Sequence, residues 1–508
     1  MHRIGAKRLL AGTRLCLACA LAIAVISATA ASAQQPAPML PTDPGYIVAT
    51  ETDAYAPAIA AQQYQQASSA AMAGDEELAA RVKALEAALK KIQDKAAADA
   101  KRAASAPSVK VFGRIHADWA SFYQNASLIN MAGDFYNGAE FRRARIGAQG
   151  EAFDVMDYRI EMDFAGSGQP AFKDVYGTIK ELPLLGNVRV GHFKEPWGLE
   201  QYGTSANYIT FMERSLIDQS GGFCTVGDRK SGIMAFDWNE SERMTWAYGV
   251  FISQVGERPP TWPTAPFDDA GGTAFTARIT WLPWYDEATE GRGYLHTGLA
   301  YAYHDIAELR PNGNGRFTLS AKPEANLAGP VLYATNLNDF NRVNALRPEL
   351  LLTYGPLSFQ AEYAWFWISR AAGASPMFDG GYLQVSYFLT GEHRAYDRRR
   401  GGPTRVKPFE NFFRVRDEDG YIHTGKGAWE LAYRASYLNG NSAGILAGQV
   451  IDHTFGVNWY LNPYSRVMFN IVHSEVTGRD TNSAGTSTGT VFPVGVMDAF
   501  MTRFQVDF

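Results

Sequence analysis

Residues 498–508 read D-A-F-M-T-R-F-Q-V-D-F and alternate between apolar and polar side chains. Phe500, Phe504 and Phe508 share one parity, whereas Arg503 lies on the other. Because a β-strand points successive side chains to opposite faces, the segment has one apolar and one mostly polar face. The apolar face suits either a second sheet in a soluble protein or the lipid around a transmembrane barrel, whose polar face lines the lumen.

The same alternation recurs along the chain from residue 109 onward. Arg143 and Arg145, for example, oppose Ala144 and Ile146. Candidate strands start at residue 109 and lie near 141–152, 158–164, 174–181, 187–193, 230–238, 243–253, 274–282, 294–304, 347–354, 357–368, 380–389, 428–438, 450–461, 465–475 and 498–508. We therefore predict an all-β transmembrane barrel of about 16 antiparallel strands over residues 108–508, preceded by a short N-terminal coiled-coil helix.

The lengths of the connections support a bacterial barrel, in which short periplasmic turns alternate with longer external loops. Counted from a periplasmic N-terminus, the even connections are short at 153–157, 183–186, 239–242, 355–356 and 462–464. The odd connections are longer, as at 125–138, 194–229, 254–273, 305–346 and 476–497. The segment 390–427 breaks the rule, because it is long and falls on the periplasmic side.

The N-terminal residues 1–33 resemble a secretory signal peptide. Basic residues precede the apolar run 15–30, and Ala31-Ser32-Ala33 supplies a small-residue cleavage site. A signal anchor is the alternative, although the apolar run is shorter than the roughly 20 residues of a membrane span. Removal of this peptide leaves Cys224 as the one cysteine of the mature chain, so we expect no intramolecular disulfide.

Between the signal peptide and the barrel we predict a flexible periplasmic linker, residues 34–74, and a coiled-coil stalk, residues 75–107. The linker is rich in Ala, Gln and Pro and lacks the apolar residues of a core. The stalk places apolar residues at heptad spacing, namely Leu78, Val82, Leu85, Leu89 and Ile92. The alternative to a coiled coil is a lone amphipathic helix that lies on the barrel. If the coiled coil forms, the protein is an oligomer.

Several stretches resemble the phosphate-selective porin O/P family. They are V-F-G-R-I (111–115), F-R-R-A-R-I-G (141–147), R-V-G-H-F-K-E-P-W-G-L-E (189–200), T-F-M-E-R-S (210–215), G-E-H-R-A-Y-D-R-R-R-G-G (391–402) and G-A-W-E-L-A-Y-R-A-S-Y-L (427–438). The likeness covers residues 109–508, and the terminal Phe508 resembles the C-terminal signal of outer-membrane proteins. The resemblance implies a homotrimeric outer-membrane porin that passes small hydrophilic solutes by passive diffusion.

Basic side chains on the lumen parity are the candidate pore-lining and anion-binding residues, because guanidinium groups bind anion oxygens in a fork. They are Arg114, Arg143, Arg145, Arg159, Arg189, Lys194, Arg278, Arg398, Arg399, Arg400, Arg434 and Arg503. Acidic residues share this parity, so a self-neutralising wall of salt bridges is the alternative. From residue 109 onward the chain carries 36 basic and 43 acidic residues, so an anion-attracting field would be local to the pore. The sequence therefore does not decide whether the pore prefers anions such as phosphate.

Two connections are candidates for narrowing the pore. Residues 194–229 join the fifth and sixth strands, where a porin folds a loop inward, and their charges are mixed in sign. Residues 390–427 contain the most basic stretch of the chain, from Arg394 to Arg416. This segment is either a solvated periplasmic turn or, as the family resemblance favours, a turn that folds back into the barrel mouth.

Other functions have little support in the sequence. There is no G-x-S-x-G elbow, H-E-x-x-H motif, Cys/His metal spacing or phosphate-binding glycine loop. We therefore expect no catalytic residues, metal or cofactor, and no nucleic-acid partner. The partners expected are outer-membrane lipid and small solutes. An outer-membrane barrel enzyme and a structural protein that tethers the envelope through the stalk are the alternative functions.

Overall fold

The wall of the protein is made of strands that are consecutive in the chain. The computed structural model describes residues 81–95, 107–166, 170–221, 223–252, 272–306, 317–337, 339–416 and 420–508. The strands are β1 (Lys110–Gln124), β2 (Gly138–Ala152), β3 (Met156–Asp163), β4 (Ala171–Leu182), β5 (Gly186–Lys194), β6 (Arg229–Trp238), β7 (Met244–Ile252), β8 (Thr273–Tyr285), β9 (Gly293–Asp305), β10 (Phe317–Ala321), β11 (Leu332–Leu337), β12 (Phe340–Tyr354), β13 (Leu357–Arg370), β14 (Met377–Phe388), β15 (Tyr396–Asp397), β16 (Gly402–Pro403), β17 (Val415–Arg416), β18 (Ile422–His423), β19 (Ala428–Ser442), β20 (Ile445–Asn462), β21 (Ser465–Arg479) and β22 (Gly495–Asp507).

Sixteen of these strands form one closed antiparallel barrel: β1–β9, β12–β14 and β19–β22. The last strand closes the ring by pairing with the first, with Arg503 opposite Asp118. Each predicted strand coincides with a barrel strand, so the prediction of a 16-stranded barrel is confirmed. The six remaining strands form three small two-stranded sheets within the connections.

Side chains alternate between lumen and exterior along the wall. On β22, Met501 and Arg503 are buried, whereas Phe500 and Phe504 are exposed. The exterior also exposes large rings such as Trp281. An apolar outward band with aromatic residues is what a lipid environment requires, because lipid cannot solvate polar side chains.

Turn lengths follow the predicted parity with two exceptions, the long segment 390–427 noted above and one short turn. The short turns 153–155, 183–185, 239–243, 355–356 and 463–464 all lie at one end of the barrel, which we call the short-turn end. Most long connections lie at the opposite, long-loop end. At the long-loop end the exception is the turn 443–444, where only two residues join β19 to β20.

Three connections fold into the barrel lumen. Residues 195–228 and 317–337 enter from the long-loop end, and residues 390–406 enter from the short-turn end. Each contributes fully buried side chains, such as Phe211, Glu324 and Arg394. The barrel therefore carries its own internal lining of loops, which determines how much of the lumen stays open.

The long segment on the short-turn side divides into two parts, and the first part folds back into the barrel mouth, as one of the two predicted alternatives has it. Inside the barrel, the buried Arg394 forms an ion pair with Glu430 of β19. The described residues 407–416 and 420–426 lie outside the barrel, where Phe413 is exposed. Phe412 packs edge-on against Trp459 on the outer wall, with ring centroids 4.6 Å apart.

Residues 81–95 form a helix that belongs to a separate compact unit, described here by itself. All of its residues are exposed, including the predicted seam residues Val82, Leu85, Leu89 and Ile92. Leu78, the predicted signal peptide and the predicted linker lie outside the described residues. Within the described ranges, no helix has both the length and the apolar character needed to cross a membrane.

Short helices occur in the connections of the barrel. They are Ala126–Ala132, Gly198–Gly203, Leu216–Gly221, Phe223–Thr225 and Glu287–Thr289. The side chain of Asn125 caps the first of them by accepting a hydrogen bond from the backbone N–H of Leu128, 2.9 Å away. Cys224 is buried and has no disulfide partner.

Candidate functional site

One side of the barrel wall clamps the inserted loops with fully buried arginines. Arg347 of β12 donates two hydrogen bonds to Asp218 of the 195–228 loop, at 2.7 and 2.6 Å, and one to Glu362 of β13, at 2.8 Å. The side chains of all three residues are inaccessible to solvent. Because removing one partner from a buried ion pair leaves an uncompensated charge, this contact holds the loop against the wall.

Arg434 of β19 ties both long-loop inserts to the wall. Its Nη1 donates to Glu200 of the 195–228 loop at 3.0 Å, and its Nε donates to Glu324 of the 317–337 segment at 2.9 Å. Its Nη2 also donates to the backbone carbonyl of Glu213 at 2.9 Å. Burial raises the pKa of the Glu200 carboxyl to about 7, and Arg434 offsets this rise only in part.

Arg503 of β22 forms a similar clamp. It donates to both oxygens of Asp118, at 2.7 and 2.6 Å, and to Glu213 at 2.6 Å. Arg142 binds the same Glu213 carboxylate through a second pair of hydrogen bonds, at 2.9 and 3.0 Å. Burial alone would raise the pKa of Glu213, but Arg142 and Arg503 together hold it well below its usual range.

The other side of the lumen contains a cavity of about 600 Å³. It lies between the wall from β1 to β8, the 195–228 loop and the 390–406 segment. Within the described parts of the chain it is bordered by thirteen basic residues, namely Lys110, Arg114, Arg143, Arg145, Arg159, Arg189, Lys194, Arg214, Arg229, Arg278, Arg399, Arg400 and Arg405. The acidic residues that border it are Asp174, Asp237, Asp397 and Asp507. The cavity is therefore strongly basic in a chain that is acidic overall.

Part of this charge is neutralised by ion pairs at the edge of the cavity. Glu161 accepts from Arg145 at 3.1 Å and from Arg159 at 2.8 Å. Arg229 donates to both oxygens of Asp174, each at 3.0 Å. These basic residues are held in fixed positions, but their carboxylate partners reduce the attraction they exert on a passing anion.

Six basic residues of the cavity form no ion pair among the described residues: Lys110, Arg143, Arg189, Lys194, Arg214 and Arg400. Lys194 donates instead to the backbone carbonyl of Gln201 at 2.7 Å, and Arg400 donates to that of Tyr202 at 3.3 Å. Arg214 donates through Nε to the carbonyl of Glu200, and its Nη2 is buried without a partner. No carboxylate within the described residues neutralises these side chains by an ion pair.

Nine of the twelve basic residues singled out from the sequence border the cavity: Arg114, Arg143, Arg145, Arg159, Arg189, Lys194, Arg278, Arg399 and Arg400. Arg434 and Arg503 point inward as their parity predicted but lie in the clamps, outside the cavity. Arg398 lies at the short-turn rim, where it donates to Glu287 at 2.9 Å and stacks on Tyr285. Parity places a side chain in the lumen, but it does not show whether a loop occupies that space.

Four basic residues of the cavity were not among the candidates: Lys110, Arg214, Arg229 and Arg405. Arg214 and Arg229 belong to the loop predicted to narrow the pore, and Arg405 belongs to the basic run 394–416. Arg405 forms an ion pair with Asp507 and stacks on Tyr464, with 4.3 Å between the guanidinium carbon and the ring centroid. Membership of the two inserted segments was the signal that could have found three of the four.

The described residues contain no group of three or more His, Cys, Asp or Glu side chains placed to hold a metal ion. Many carboxylates of the lumen instead bind arginines. Arg278, for example, donates to Glu349 at 3.0 and 2.6 Å, and the same carboxylate contacts His296 at 3.0 Å. The polar groups of the lumen thus form a fixed lining around an open basic cavity.

Comparison with known proteins gives matches over the barrel. The family model described as phosphate-selective porin O and P matches residues 109–508. Porin O of Pseudomonas aeruginosa is 25% identical over 434 residues, which cover 79% of this chain and 88% of that protein. An uncharacterized protein of Caulobacter vibrioides is 24% identical over 70% of this chain and 69% of its own length. An anion-selective porin from Comamonas acidovorans matches with a TM-score of 0.47 and 12% identity, covering 79% of this chain and 100% of that one.

Proposed function

The chain belongs to the phosphate-selective porin O and P family and is an outer-membrane porin, and we propose that its basic cavity gives this porin a preference for small anions. Small hydrophilic solutes cross such a barrel by passive diffusion through water-filled space. Selectivity then depends on the charges that border the narrow part of that space. The candidate carriers of selectivity are the basic residues of the cavity.

The observation that carries the proposal is the set of six cavity cations without ion pairs. Two of the four bordering acids are already paired, because Asp174 binds Arg229 and Asp507 binds Arg405, so Asp237 and Asp397 remain against the six cations. Two unit charges 4 Å apart interact by about 1 kcal/mol in bulk water and about 4 kcal/mol at the effective dielectric constant near a protein surface. A few unpaired cations in a confined cavity therefore favour anions over cations of equal size.

The test is the reversal potential of the purified protein in a planar bilayer under a potassium chloride gradient. We expect its sign to show anion selectivity. Changing Arg143, Lys194 and Arg400 together to Gln removes three of the unpaired charges and should shift the potential toward cations. Arg398→Gln is the matched control, because Arg398 lies outside the cavity and already binds carboxylates. A cation-selective wild-type channel would contradict the proposal.

The proposal includes a homotrimer whose N-terminal helices form a parallel coiled coil in the periplasm. The support is the helix 81–95, on which Val82, Leu85, Leu89 and Ile92 are exposed at heptad spacing. Exposed apolar residues at this spacing become buried when helices associate through their a and d positions. The barrel begins and ends at the short-turn end, which is periplasmic in bacterial barrels, so the stalk would extend from that side.

A further inference from the structure

Aromatic rings occupy the part of the cavity formed by β4 to β6 and the adjoining loop. Tyr176 and Phe236 border the cavity from the wall, and Tyr202 borders it from the 195–228 loop. All three rings are partly accessible. Behind them, Tyr176, Tyr202 and Phe236 pack on a small apolar cluster around Phe193, which fixes their positions. A water-filled lumen does not need such a surface, so its presence requires an explanation.

Arg189 lies in the middle of this aromatic surface. Its guanidinium carbon is 4.0 Å from the ring centroid of Tyr176 and 4.8 Å from that of Phe236. Its Nε donates to the hydroxyl of Thr178 at 3.2 Å, and it has no carboxylate partner in the described residues. The two rings hold the guanidinium in a fixed plane, because cation–π contacts favour stacking on the ring face. The terminal nitrogens are thereby presented to an anion.

The neighbouring wall from β1 to β3 has a different character. There the cavity is bordered by Arg114, Arg145 and Arg159, which surround the buried Glu161. The cavity thus joins a charged surface to an aromatic surface that carries its own arginine. Such a pairing fits a ligand that has both a negative group and a flat apolar body, as small-molecule sites generally combine apolar walls with a few fixed polar groups.

We propose that the cavity binds aromatic organic anions, such as ring-bearing carboxylates, more tightly than aliphatic or inorganic anions of equal charge. The proposal rests on the anion preference proposed above and adds the class of solute. The anionic group would meet Arg189 and the neighbouring unpaired cations, while the ring would stack on Tyr176 or Phe236. Ring contacts of this kind add roughly a few-fold to tenfold in affinity beyond the area they bury.

The experiment compares benzoate with acetate as blockers of the chloride current through single channels at neutral pH. For the wild type we expect half-block by benzoate at a roughly three- to tenfold lower concentration than by acetate. In the double variant Tyr176→Leu with Phe236→Leu, the ratio of the two half-blocking concentrations should fall toward one, while the channel stays anion-selective in potassium chloride because no charged residue is removed. Tyr176→Phe keeps the aromatic ring and should therefore keep the wild-type ratio of half-blocking concentrations.

The chloride current of each variant shows that its barrel has assembled. Tyr176→Leu alone is the second variant, should the double variant fail to insert. Tyr248→Leu, on the exposed outer face of β7, is the control for loss of a ring elsewhere. An anion-selective channel whose benzoate-to-acetate ratio is one, or does not change when the rings are removed, would overturn this inference and leave the anion preference standing. A wild type without anion selectivity would overturn both.

Discussion

Replacing Arg434 with Ala should open the lumen rather than change its charge selectivity. Arg434 is fully buried and joins β19 to Glu200, Glu324 and the carbonyl of Glu213. Its guanidinium also stacks on Phe211 of the same loop, 4.5 Å from the ring centroid. The substitution removes the one side chain that contacts both long-loop inserts at this point. Two carboxylates are then left buried and facing each other.

The size of the effect follows from these contacts. Removing one partner of a buried ion pair costs about 3–5 kcal/mol, because the remaining charge has lost its compensation. Since about 1.4 kcal/mol corresponds to a factor of ten, states in which the inserts have left the wall should become roughly 10²- to 10³-fold more populated. Loops that leave the wall widen the path, so the single-channel conductance should rise or fluctuate toward larger values.

The effect should also depend on pH, through Glu200. Burial raises the pKa of this carboxyl to about 7, so the docked loop binds the proton more tightly than a released loop does. Docking is then favoured at low pH and weakens as the pH rises from the usual carboxyl range toward 7. Without Arg434 the pKa rises further. The variant should therefore be nearest to wild type at acidic pH and deviate most above neutral pH.

The assay is the single-channel conductance and reversal potential of wild type and Arg434→Ala across this pH range. Arg398→Ala is the control, because Arg398 is partly exposed and such surface ion pairs contribute about 0–1 kcal/mol. An unchanged conductance together with a reversal potential shifted toward cations would refute the reasoning. That result would mean that Arg434 acts on passing anions, as its strand parity alone suggests.

Three further predictions concern the short-turn segment, the stalk and the topology. Changing Arg398, Arg399 and Arg400 together to Ala should shift the reversal potential toward cations and weaken block by phosphate, whereas Arg398→Ala alone should not, because only the other two border the cavity. Deleting residues 75–102 should weaken the trimer on sedimentation without abolishing conductance; loss of the open channel would instead assign the helix to the pore. Protease shaving of intact cells should cut at long-loop connections such as 371–376. Cleavage at 239–243 or 463–464 would show that the barrel is oriented in the membrane the other way round.

The barrel could be predicted from the sequence because the wall has lipid on one side and water on the other. This contrast gives each strand a local signal, as in Phe500 and Phe504 opposite Arg503, and a strand needs only its own residues to show it. The exterior position of residues 407–416 and 420–426 had no such signal. It depends on a contact between Phe412 and Trp459 of the outer wall, two rings separated in sequence by a complete barrel strand.

The functional residues were predictable only as a set, because the role of each depends on distant contacts. Arg145 and Arg434 both lie on the lumen parity and are equivalent by sequence reasoning. In the structure Arg145 borders the cavity, whereas Arg434 meets Glu200 from a loop 234 residues earlier. No local sequence pattern shows which arginine borders the cavity and which binds a loop. The difference depends on whether an inserted loop reaches the part of the wall that carries the arginine.

The distribution of acids within the lumen explains how an acidic chain surrounds a basic cavity. In two of the three clamps, one arginine serves two carboxylates, as Arg434 does for Glu200 and Glu324. Beside the cavity the ratio is reversed, because the two carboxylates of Glu161 and Asp163 serve three arginines: Arg114, Arg145 and Arg159. The clamps therefore hold carboxylates in the part of the lumen that the inserted loops already fill. The cavity keeps an excess of positive charge. Since buried carboxylates bound to arginine act little on a solute beyond them, the net charge of the chain does not report the selectivity of its pore.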